Sequence, residues 1–272
     1  MDNITIALAG NPNCGKTTLF NALTGASQYV GNWPGVTVER KAGKLNEYPE
    51  IEVQDLPGIY SLSPYTLEEV ISRDYLVRDE PSVIVDLVDA TNLERNLYLT
   101  TQLQELGRPI IVALNMADLM ARRGITIDKA RLSQALHCQV VEISALKGTG
   151  IKELVELAVK TAKNPEASPA QPVRFDDTVE KALSRIAEYL SCDPDLKRWY
   201  AIKLFERDPR SWNISIWTGR LPRPSSKSSF PWKKKWMTTA KASSPVNGTP
   251  PLPPSSRKAR PRNTWGFPSA TR

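Results

Sequence analysis

The chain has 272 residues, of which 40% are hydrophobic, and this is enough for one α/β domain of usual size with a smaller appendage. Its three cysteines are widely spaced and no C-x-x-C or Cys/His pattern occurs, which excludes a disulfide scaffold and a zinc site and favours a reducing, cytoplasmic setting. The net charge of +7 arises from residues 211–272, which hold twelve Lys/Arg and no acidic residue, so the acidic remainder offers no basic face for a specific nucleic acid.

The first predicted strand and helix flank a phosphate-binding turn. Residues 4–9 are an apolar run suited to a buried strand, and a helix begins over residues 18–24. Between them lies the G-x-x-x-x-G-K-[ST] pattern, made up of Gly10, Asn11, Pro12, Asn13, Cys14, Gly15, Lys16 and Thr17. Backbone N–H groups of such a turn point at phosphates, Lys16 can reach the β and γ oxygens, and the Thr17 hydroxyl can ligate Mg²⁺. We therefore expect a nucleotide site formed by these residues and Thr18.

A loop and a hairpin follow this helix. Residues 26–35 contain two Gly, one Pro and two aromatic side chains that look exposed, so we expect a mobile loop without helix or strand. Residues 36–45 alternate apolar and polar side chains like a strand, and residues 51–55 are its predicted hairpin partner after a turn at 47–50. At the end of the loop we expect nucleotide contacts from Gly35, Val36 and Thr37, and Thr37 carries the one hydroxyl placed to complete the Mg²⁺ shell.

A D-x-x-G motif begins at the end of the predicted strand 51–55. Asp55 can hold Mg²⁺ through a water molecule, and the N–H of Gly58 can meet a γ-phosphate. Such tetrapeptides are common and are usually turns, so this motif alone is weak evidence. Residues 60–64 are predicted to form a loop and residues 66–78 a helix.

The following predicted elements alternate between strands and helices. Strands are expected at 82–89, 109–115 and 139–143, and helices at 93–106, 128–136 and 151–162. Strands rich in Val, Ile and Leu that alternate with helices form a mostly parallel sheet covered on both faces. In such sheets ligands bind beyond the carboxyl ends of the strands, where the phosphate-binding turn, Asp55, Asn115 and Ser144 all fall.

Two motifs at the ends of the later strands predict guanine specificity. They consist of Asn115, Met116 and Asp118 in an N-x-x-D pattern, and of Ser144, Ala145 and Leu146 after the last strand. The Asp118 carboxylate can accept hydrogen bonds from N1 and the exocyclic N2 of guanine, groups that adenine does not offer in that form. The backbone N–H of Ala145 is expected to meet guanine O6. Each motif can occur as a simple turn. Together, however, the motifs follow the ends of successive strands in the order that an α/β P-loop GTPase fold requires, and they predict that fold.

The C-terminal third differs in composition. The Pro/Ala/Ser-rich segment 164–172 is predicted to be a linker between a GTPase domain over 1–165 and a small helical subdomain over 175–210. The basic tail 211–272 holds ten prolines and eleven serines without periodicity, and we expect it to be disordered. No apolar run reaches eighteen residues and no signal-peptide pattern occurs, so we expect the chain as given to be neither exported nor membrane-spanning.

Two of these stretches resemble the cytosolic GTPase region of the FeoB ferrous-iron transporter family. They are Gly10–Thr17 and Val30–Glu39, and the resemblance covers about residues 1–210. It implies GTP hydrolysis to GDP with Mg²⁺, activation by K⁺, and switch segments at 26–40 and 56–70. It also implies a membrane domain that passes Fe²⁺ and places the GTPase at the cytoplasmic face of the bacterial inner membrane. Small cytosolic Feo-system proteins and a second copy of the chain in a homo-oligomer are the other implied partners.

The chain departs from the family pattern in two respects. The helical subdomain would continue past Arg210, where the basic tail begins, and the membrane domain is absent from this chain. A tail that is frame-shifted, or that was appended to the natural sequence, would account for both. Two other functions stay open, namely a GTPase that acts on ribosomes or RNA through the basic tail, and a nucleotide-binding scaffold without turnover.

Hydrolysis needs a substitute for a missing side chain, because Ile59 stands where many GTPases carry a water-orienting Gln. The expected catalytic residues are Asn13, Lys16, Thr37 and Gly58. A monovalent cation beside the phosphates would neutralise the developing charge. Its expected oxygen ligands are the side chain of Asn13 and the backbone carbonyls of Gly31 and Trp33, and the resemblance points to the same three positions. K⁺ is therefore predicted to stimulate turnover.

Overall fold

The computed structural model describes residues 4–25, 27–63, 65–164, 171–172, 174–208 and 211. Its strands are β1 (Ile4–Gly10), β2 (Gln28–Asn32), β3 (Glu39–Leu45), β4 (Tyr48–Asp55), β5 (Val83–Asp89), β6 (Ile110–Asn115) and β7 (Gln139–Glu142). Its helices are α1 (Lys16–Thr24), α2 (Leu67–Arg78), α3 (Leu93–Gln104), α4 (Ala117–Arg122), α5 (Lys129–Leu136), α6 (Ile151–Lys163), α7 (Asp177–Ala187) and α8 (Pro194–Phe205).

The strands form one sheet in the order β2-β3-β4-β1-β5-β6-β7. Neighbouring strands from β4 to β7 in this order are parallel, whereas the β2–β3 and β3–β4 pairs are antiparallel. This confirms the predicted mostly parallel α/β fold. The carboxyl ends of the parallel strands therefore lie along one edge of the sheet, and each nucleotide motif of the sequence begins there.

The buried strand β1 contributes side chains to the hydrophobic clusters on both faces of the sheet. Side chains alternate across a strand, so Ala7 and Ala9 of β1 belong to a hydrophobic cluster with residues of α2, α3 and α8. Ile6 and Leu8 belong to a second cluster with residues of α1 and α6. The phosphate-binding turn thus follows a strand that is fixed from both sides.

The structure corrects the prediction that residues 26–35 form a loop. Residues 28–32 are the edge strand β2, in which Tyr29 lies opposite Ala42 of β3. The irregular part is confined to a turn over 33–38, closed by a hydrogen bond from the N–H of Trp33 to the carbonyl of Val38 at 2.9 Å. The sequence Gln-Tyr-Val-Gly-Asn has weak local strand preference, and the pairing with β3 decides its conformation.

The structure also corrects the prediction that both aromatic side chains of this segment are exposed, because the side chain of Trp33 is buried. The ring is 9% exposed and packs edge-on against Tyr75 of α2, with the centroids 5.5 Å apart. The guanidinium of Arg40 lies 5.1 Å from the centroid of the same ring. Tyr29 is 66% exposed, as expected.

Smaller corrections concern element boundaries. β3 begins at Glu39 and not at residue 36, and β4 already begins at Tyr48, where a turn was expected. The helix α4 was not predicted, because a helix of six residues is too short for its apolar side chains to show a helical period.

The predicted helical subdomain consists of α7 and α8. The buried Arg73 of α2 forms an ion pair with Asp208, donates a hydrogen bond to Ser211 Oγ at 3.0 Å, and lies 4.9 Å over the ring of Trp199. The packed structure therefore extends to Ser211, one residue past the expected boundary at Arg210. The predicted disorder of the basic tail concerns residues outside the described ones, apart from Ser211. Within the described ranges, no helix combines the length and the apolar character needed to cross a membrane.

Candidate functional site

The phosphate-binding turn has the backbone that its motif predicts. It leaves β1 at Gly10, with φ 146°, and enters α1 at Lys16 after Gly15, with φ 97°. A Cβ atom on Gly10 would lie 2.6 Å from the carbonyl oxygen of Leu87, and one on Gly15 would collide with Asn115 Nδ2. Neither position accepts another residue without displacing its neighbours.

Unpaired polar atoms are buried beneath this turn. Asn11 is 4% exposed, and in the described part of the chain neither its Nδ2 nor its Oδ1 has a hydrogen-bond partner. Lys16 is 8% exposed. Buried polar groups are nearly always paired, so the Nδ2 donor of Asn11 and the buried Lys16 ammonium fit a turn that completes its hydrogen bonds with an anionic ligand. Pro12, Asn13 and Thr18 lie in the turn and the first turn of α1, where the motif placed them, and Asn13 is exposed with φ 64°.

Oxygen atoms suited to a hard cation lie at the start of α1. Thr17 Oγ1 is 3.4 Å from Asp55 Oδ2 at the end of β4, and Asp55 Oδ1 is buried without a partner among the described residues. Burial raises the pKa of Asp55 above the ordinary carboxyl range, against the opposing charges of Lys16 and Lys41. Carboxylate and hydroxyl oxygens are the ligands that Mg²⁺ prefers, and this pair fits such an ion.

The D-x-x-G segment lies against the phosphate-binding turn. A Cβ atom on Gly58 would lie 3.0 Å from Pro12 Cα. The N–H of Ile59 donates to the carbonyl of Gly10 at 3.2 Å, and its side chain is 1% exposed in the core. The side chain at position 59 therefore cannot orient a water molecule, and this agrees with the expectation from its being Ile and not Gln. Further along, Ser63 Oγ accepts a hydrogen bond at 3.1 Å from the buried Lys203 of α8, a contact that no sequence motif indicated.

The first predicted switch is not assembled around the turn. Gly35, Val36 and Thr37 lie in the 33–38 turn, where Thr37 is exposed. Gly31 lies opposite Arg40 in the β2–β3 ladder, and Trp33 packs on α2. The structure thus brings Thr17 and Asp55 together but leaves Thr37, Gly31 and Trp33 in the β2–β3 hairpin.

Asn115 joins the phosphate-binding turn to the loop that is expected to contact the base. Its Nδ2 donates to the carbonyl of Cys14 at 2.8 Å, and its Oδ1 accepts from the N–H of Ala145 at 2.9 Å. That N–H, expected to meet guanine O6, is already used within the protein. The neighbouring Leu146 is 85% exposed, and its backbone offers an alternative donor.

Asp118 is held in place by two neighbours. Ser144 Oγ donates to its Oδ1 at 2.9 Å, and Lys147 Nζ lies 3.5 Å from its Oδ2. The hydrogen bond from Ser144, followed by the Lys147 charge, lowers the pKa of Asp118. Met116, in the left-handed region with φ 67°, precedes α4 and turns the chain so that Asp118 lies in its first turn. Lys147 lies in the motif that follows the last strand, but the sequence indicated no role for it, because its contact with Asp118 joins residues far apart in the chain.

Comparison with known proteins gives matches along most of the chain. The sequence model of a family described as ferrous iron transport protein B matches residues 4–158, and that of the FeoB cytosolic helical domain matches residues 175–215. The Fe(2+) transporter FeoB of Shigella flexneri is 43% identical over 215 residues, which cover 76% of this chain and 27% of that protein. A Porphyromonas gingivalis protein named as a fusion of Fe(2+) transport protein A and Fe(2+) transporter FeoB is 41% identical over 215 residues, covering 75% and 25%. The chain spans about a quarter of the length of these relatives.

Solved structures match over a similar part of the chain. A point mutant of S. thermophilus NFeoB bound to mGDP has a TM-score of 0.74 and 46% sequence identity, covering 80% of this chain and 84% of that chain. A second mutant, bound to GDP·AlF₄⁻, has a TM-score of 0.69 and 50% identity, covering 76% of this chain and 81% of that chain. Both neighbours share the fold described above, and both hold a guanine nucleotide.

Proposed function

The chain belongs to the FeoB family of ferrous iron transport proteins, and we propose that it binds and hydrolyses GTP to regulate Fe²⁺ uptake by a membrane domain. The relatives are named as Fe(2+) transporters, and the similar structures hold guanine nucleotides. The observation that carries the proposal is the phosphate-binding turn itself, in which the donor Asn11 Nδ2 and, next to Thr17, the acceptor Asp55 Oδ1 are buried without a partner among the described residues. The alternative of a ribosome- or RNA-associated GTPase receives no support from these relatives.

In the proposed mechanism, this chain's residues bind, orient and select the nucleotide. The N–H groups of the phosphate-binding turn and Lys16 bind the phosphates, and Asp118 selects guanine. Thr17 and Asp55 would hold Mg²⁺, which neutralises phosphate charge when bound. The N–H of Gly58 approaches the γ-phosphate, and Thr37 reaches the site only after the 33–38 turn moves.

The experiment is phosphate release from GTP and from ATP, with Mg²⁺ and with EDTA. We expect turnover of GTP only, and only with Mg²⁺. Lys16→Ala should lose it, whereas Lys152→Ala, on the exposed face of α6, should not. Equal hydrolysis of GTP by the Lys16 variant would contradict the site.

K⁺ activation is a prediction of its own. The expected ligands are not assembled as the chain is arranged here, because Gly31 is paired in the β2–β3 ladder. We expect the wild type to turn over faster in KCl than in matched NaCl, and Asn13→Ala to lose the difference while its GDP affinity stays within about threefold. Equal wild-type rates in the two salts would contradict a cation at Asn13.

The proposed partners follow from the relatives. A membrane domain would follow this region, and the P. gingivalis fusion protein supports a small Feo-system protein as a second partner. The chain would then act at the cytoplasmic face of the bacterial inner membrane. A second copy of the chain is the remaining proposed partner.

A further inference from the structure

The edge strand β2 presents a row of backbone hydrogen-bonding groups away from the sheet. The N–H of Lys44 donates to the carbonyl of Ser27 at 3.0 Å, and the N–H of Trp33 donates to the carbonyl of Val38 at 2.9 Å. Bonded and non-bonded pairs alternate in an antiparallel ladder. Tyr29 and Gly31 are therefore bonded to β3 as well. The N–H and C=O groups of the residues between them, Gln28, Val30 and Asn32, point outward.

The side chains of β2 do not protect this edge. Natural edge strands usually carry Lys, Pro or a bulge, or are very short. The segment Gln28–Asn32 has no charged residue and no proline, and its pairing with β3 is regular over all five residues. Tyr29 is 66% and Val30 54% exposed. At the opposite edge, β7 has only four residues. Among the residues that the structure describes, no strand pairs with the outer edge of β2, which is open to another strand.

The sequence of β2 is complementary to itself. In an antiparallel pair with Val30 on the two-fold axis, Val30 faces its own copy, Gln28 faces Asn32, and Tyr29 faces Gly31. The outward groups of Gln28, Val30 and Asn32 then form about six hydrogen bonds. No charged residue of the strand meets another. The ring of Tyr29 lies over Gly31 of its own strand, since a Cβ atom on Gly31 would lie 2.9 Å from Tyr29 Oη, and in the pair each Tyr29–Gly31 unit faces that of the other copy. A pair centred on Tyr29 or Gly31 would leave one end of each strand unpaired.

We propose that β2 pairs antiparallel with β2 of a second copy of this chain, centred on Val30. The two sheets then become one continuous sheet across the dimer axis. Five residues from each copy bury less surface than a standard protein–protein interface, so the dimer is transient and depends on concentration. The proposal rests on the backbone and the exposed side chains of β2 as it is paired with β3 here. Because the expected switch 26–40 includes β2 and Gly31 is an expected K⁺ ligand, both tests below are made without nucleotide.

Single cysteine substitutions in the full chain test the register. Two Val30→Cys copies would have Cα atoms about 5.5 Å apart, within the range that a disulfide spans. Two Gln28→Cys copies would have their cysteines at opposite ends of the strand pair. We expect Val30→Cys to form disulfide dimers far faster than Gln28→Cys or the wild type, whose own cysteines give the background. A mixture of Gln28→Cys and Asn32→Cys should form the mixed dimer. Val30→Cys dimerising no faster than Gln28→Cys would overturn the proposal.

Sedimentation of a proline variant tests the hydrogen bonds. Val30→Pro removes an outward N–H and leaves the bonds to β3 intact, because edge strands accept proline where the N–H faces solvent. We expect its association constant to fall at least about tenfold below that of the wild type, with Val30→Thr as the control that keeps the N–H. Thermal unfolding of both variants verifies the fold. Unchanged association of a folded Val30→Pro protein would show that β2 is not the interface.

Discussion

At the scale of single residues, Asp86 is a carboxyl group that no nucleotide motif requires. It lies in the middle of β5, is 1% exposed, and accepts a hydrogen bond from Thr100 Oγ1 at 2.6 Å. Burial raises the pKa of Asp86 to about 7, against the opposing effects of the Thr100 hydrogen bond and the Lys16 charge. The ordinary carboxyl pKa is about 3.9. The folded protein therefore keeps this proton at pH values at which the unfolded chain has released it.

Asp86 should make the protein less stable as the pH rises. Between about pH 4 and pH 7 the unfolded chain binds fewer protons at this residue than the folded one, so the free energy of unfolding falls with pH. We expect Asp86→Asn to be more stable than the wild type by about 1–3 kcal/mol at pH 8 and nearly equal at pH 4. Urea unfolding at the two pH values measures the difference, with the exposed Glu156→Gln as control. A gain at pH 4 as large as at pH 8 would contradict the explanation.

Asp118 allows a test of base recognition at a single residue. In Asp118→Asn an amide donor would face the N1–H or N2–H donor of guanine, and two donors cannot bond. We expect GDP affinity to fall about a hundredfold or more and xanthosine diphosphate to become the preferred ligand. Titration with both nucleotides measures this, and Ser144→Ala, which removes only a supporting hydrogen bond, should keep the guanine preference. An Asp118→Asn protein whose GDP affinity stays within about threefold would show that this motif is wrongly assigned.

At the scale of elements, the sequence predicts best what its own local pattern determines. Strands β1, β5 and β6 were predicted to within a residue at each end, because short, near-continuous apolar runs are buried on both faces of a parallel sheet. The phosphate-binding turn was predicted because its glycines dictate the backbone. Strand β2 was not predicted, since its partner β3 decides its conformation. The use of the Ala145 N–H by Asn115 depends on a contact between residues 30 positions apart, which no local pattern records.

The ion pair between α2 and the C-terminal end of the helical subdomain allows a stability prediction. Arg73 and Asp208 are both buried, 4% and 7% exposed in their side chains. Asp208→Ala leaves the guanidinium buried without its carboxylate, and we expect a loss of about 3–5 kcal/mol. The double variant Arg73→Met with Asp208→Leu should lose much less, because no charge is left buried. Chemical denaturation compares them. A double variant less stable than Asp208→Ala would contradict a desolvation cost, and Glu156→Gln in an exposed pair on α6 should change stability by less than about 0.5 kcal/mol.

At the scale of the whole molecule, the position of Ser211 decides where the chain can be shortened. Ser211 is buried and bonded to both Arg73 and Asp208, and the helical-domain match continues to residue 215. We expect a chain ending at residue 215 to bind GDP with the affinity of the full chain and to unfold at the same temperature. A chain ending at Arg210 should unfold at a lower temperature, because Arg73 loses a partner. Calorimetry and GDP titration of the three proteins test this. A drop of tenfold or more in the GDP affinity of the chain ending at 215 would show that the basic tail takes part in binding.

The side chain of Asn115 has a consequence for how the whole site holds a ligand. Its one amide is hydrogen-bonded both to the phosphate-binding turn and to the loop that is expected to contact the base, so these two halves of the predicted site share a single link. Their contributions to affinity are then not separable. Guanosine and inorganic diphosphate, bound as separate fragments, should each bear the free-energy cost of ordering both halves. The intact nucleotide should bear that cost only once. We therefore expect the two halves to become ordered together when a nucleotide enters and to loosen together when the product leaves.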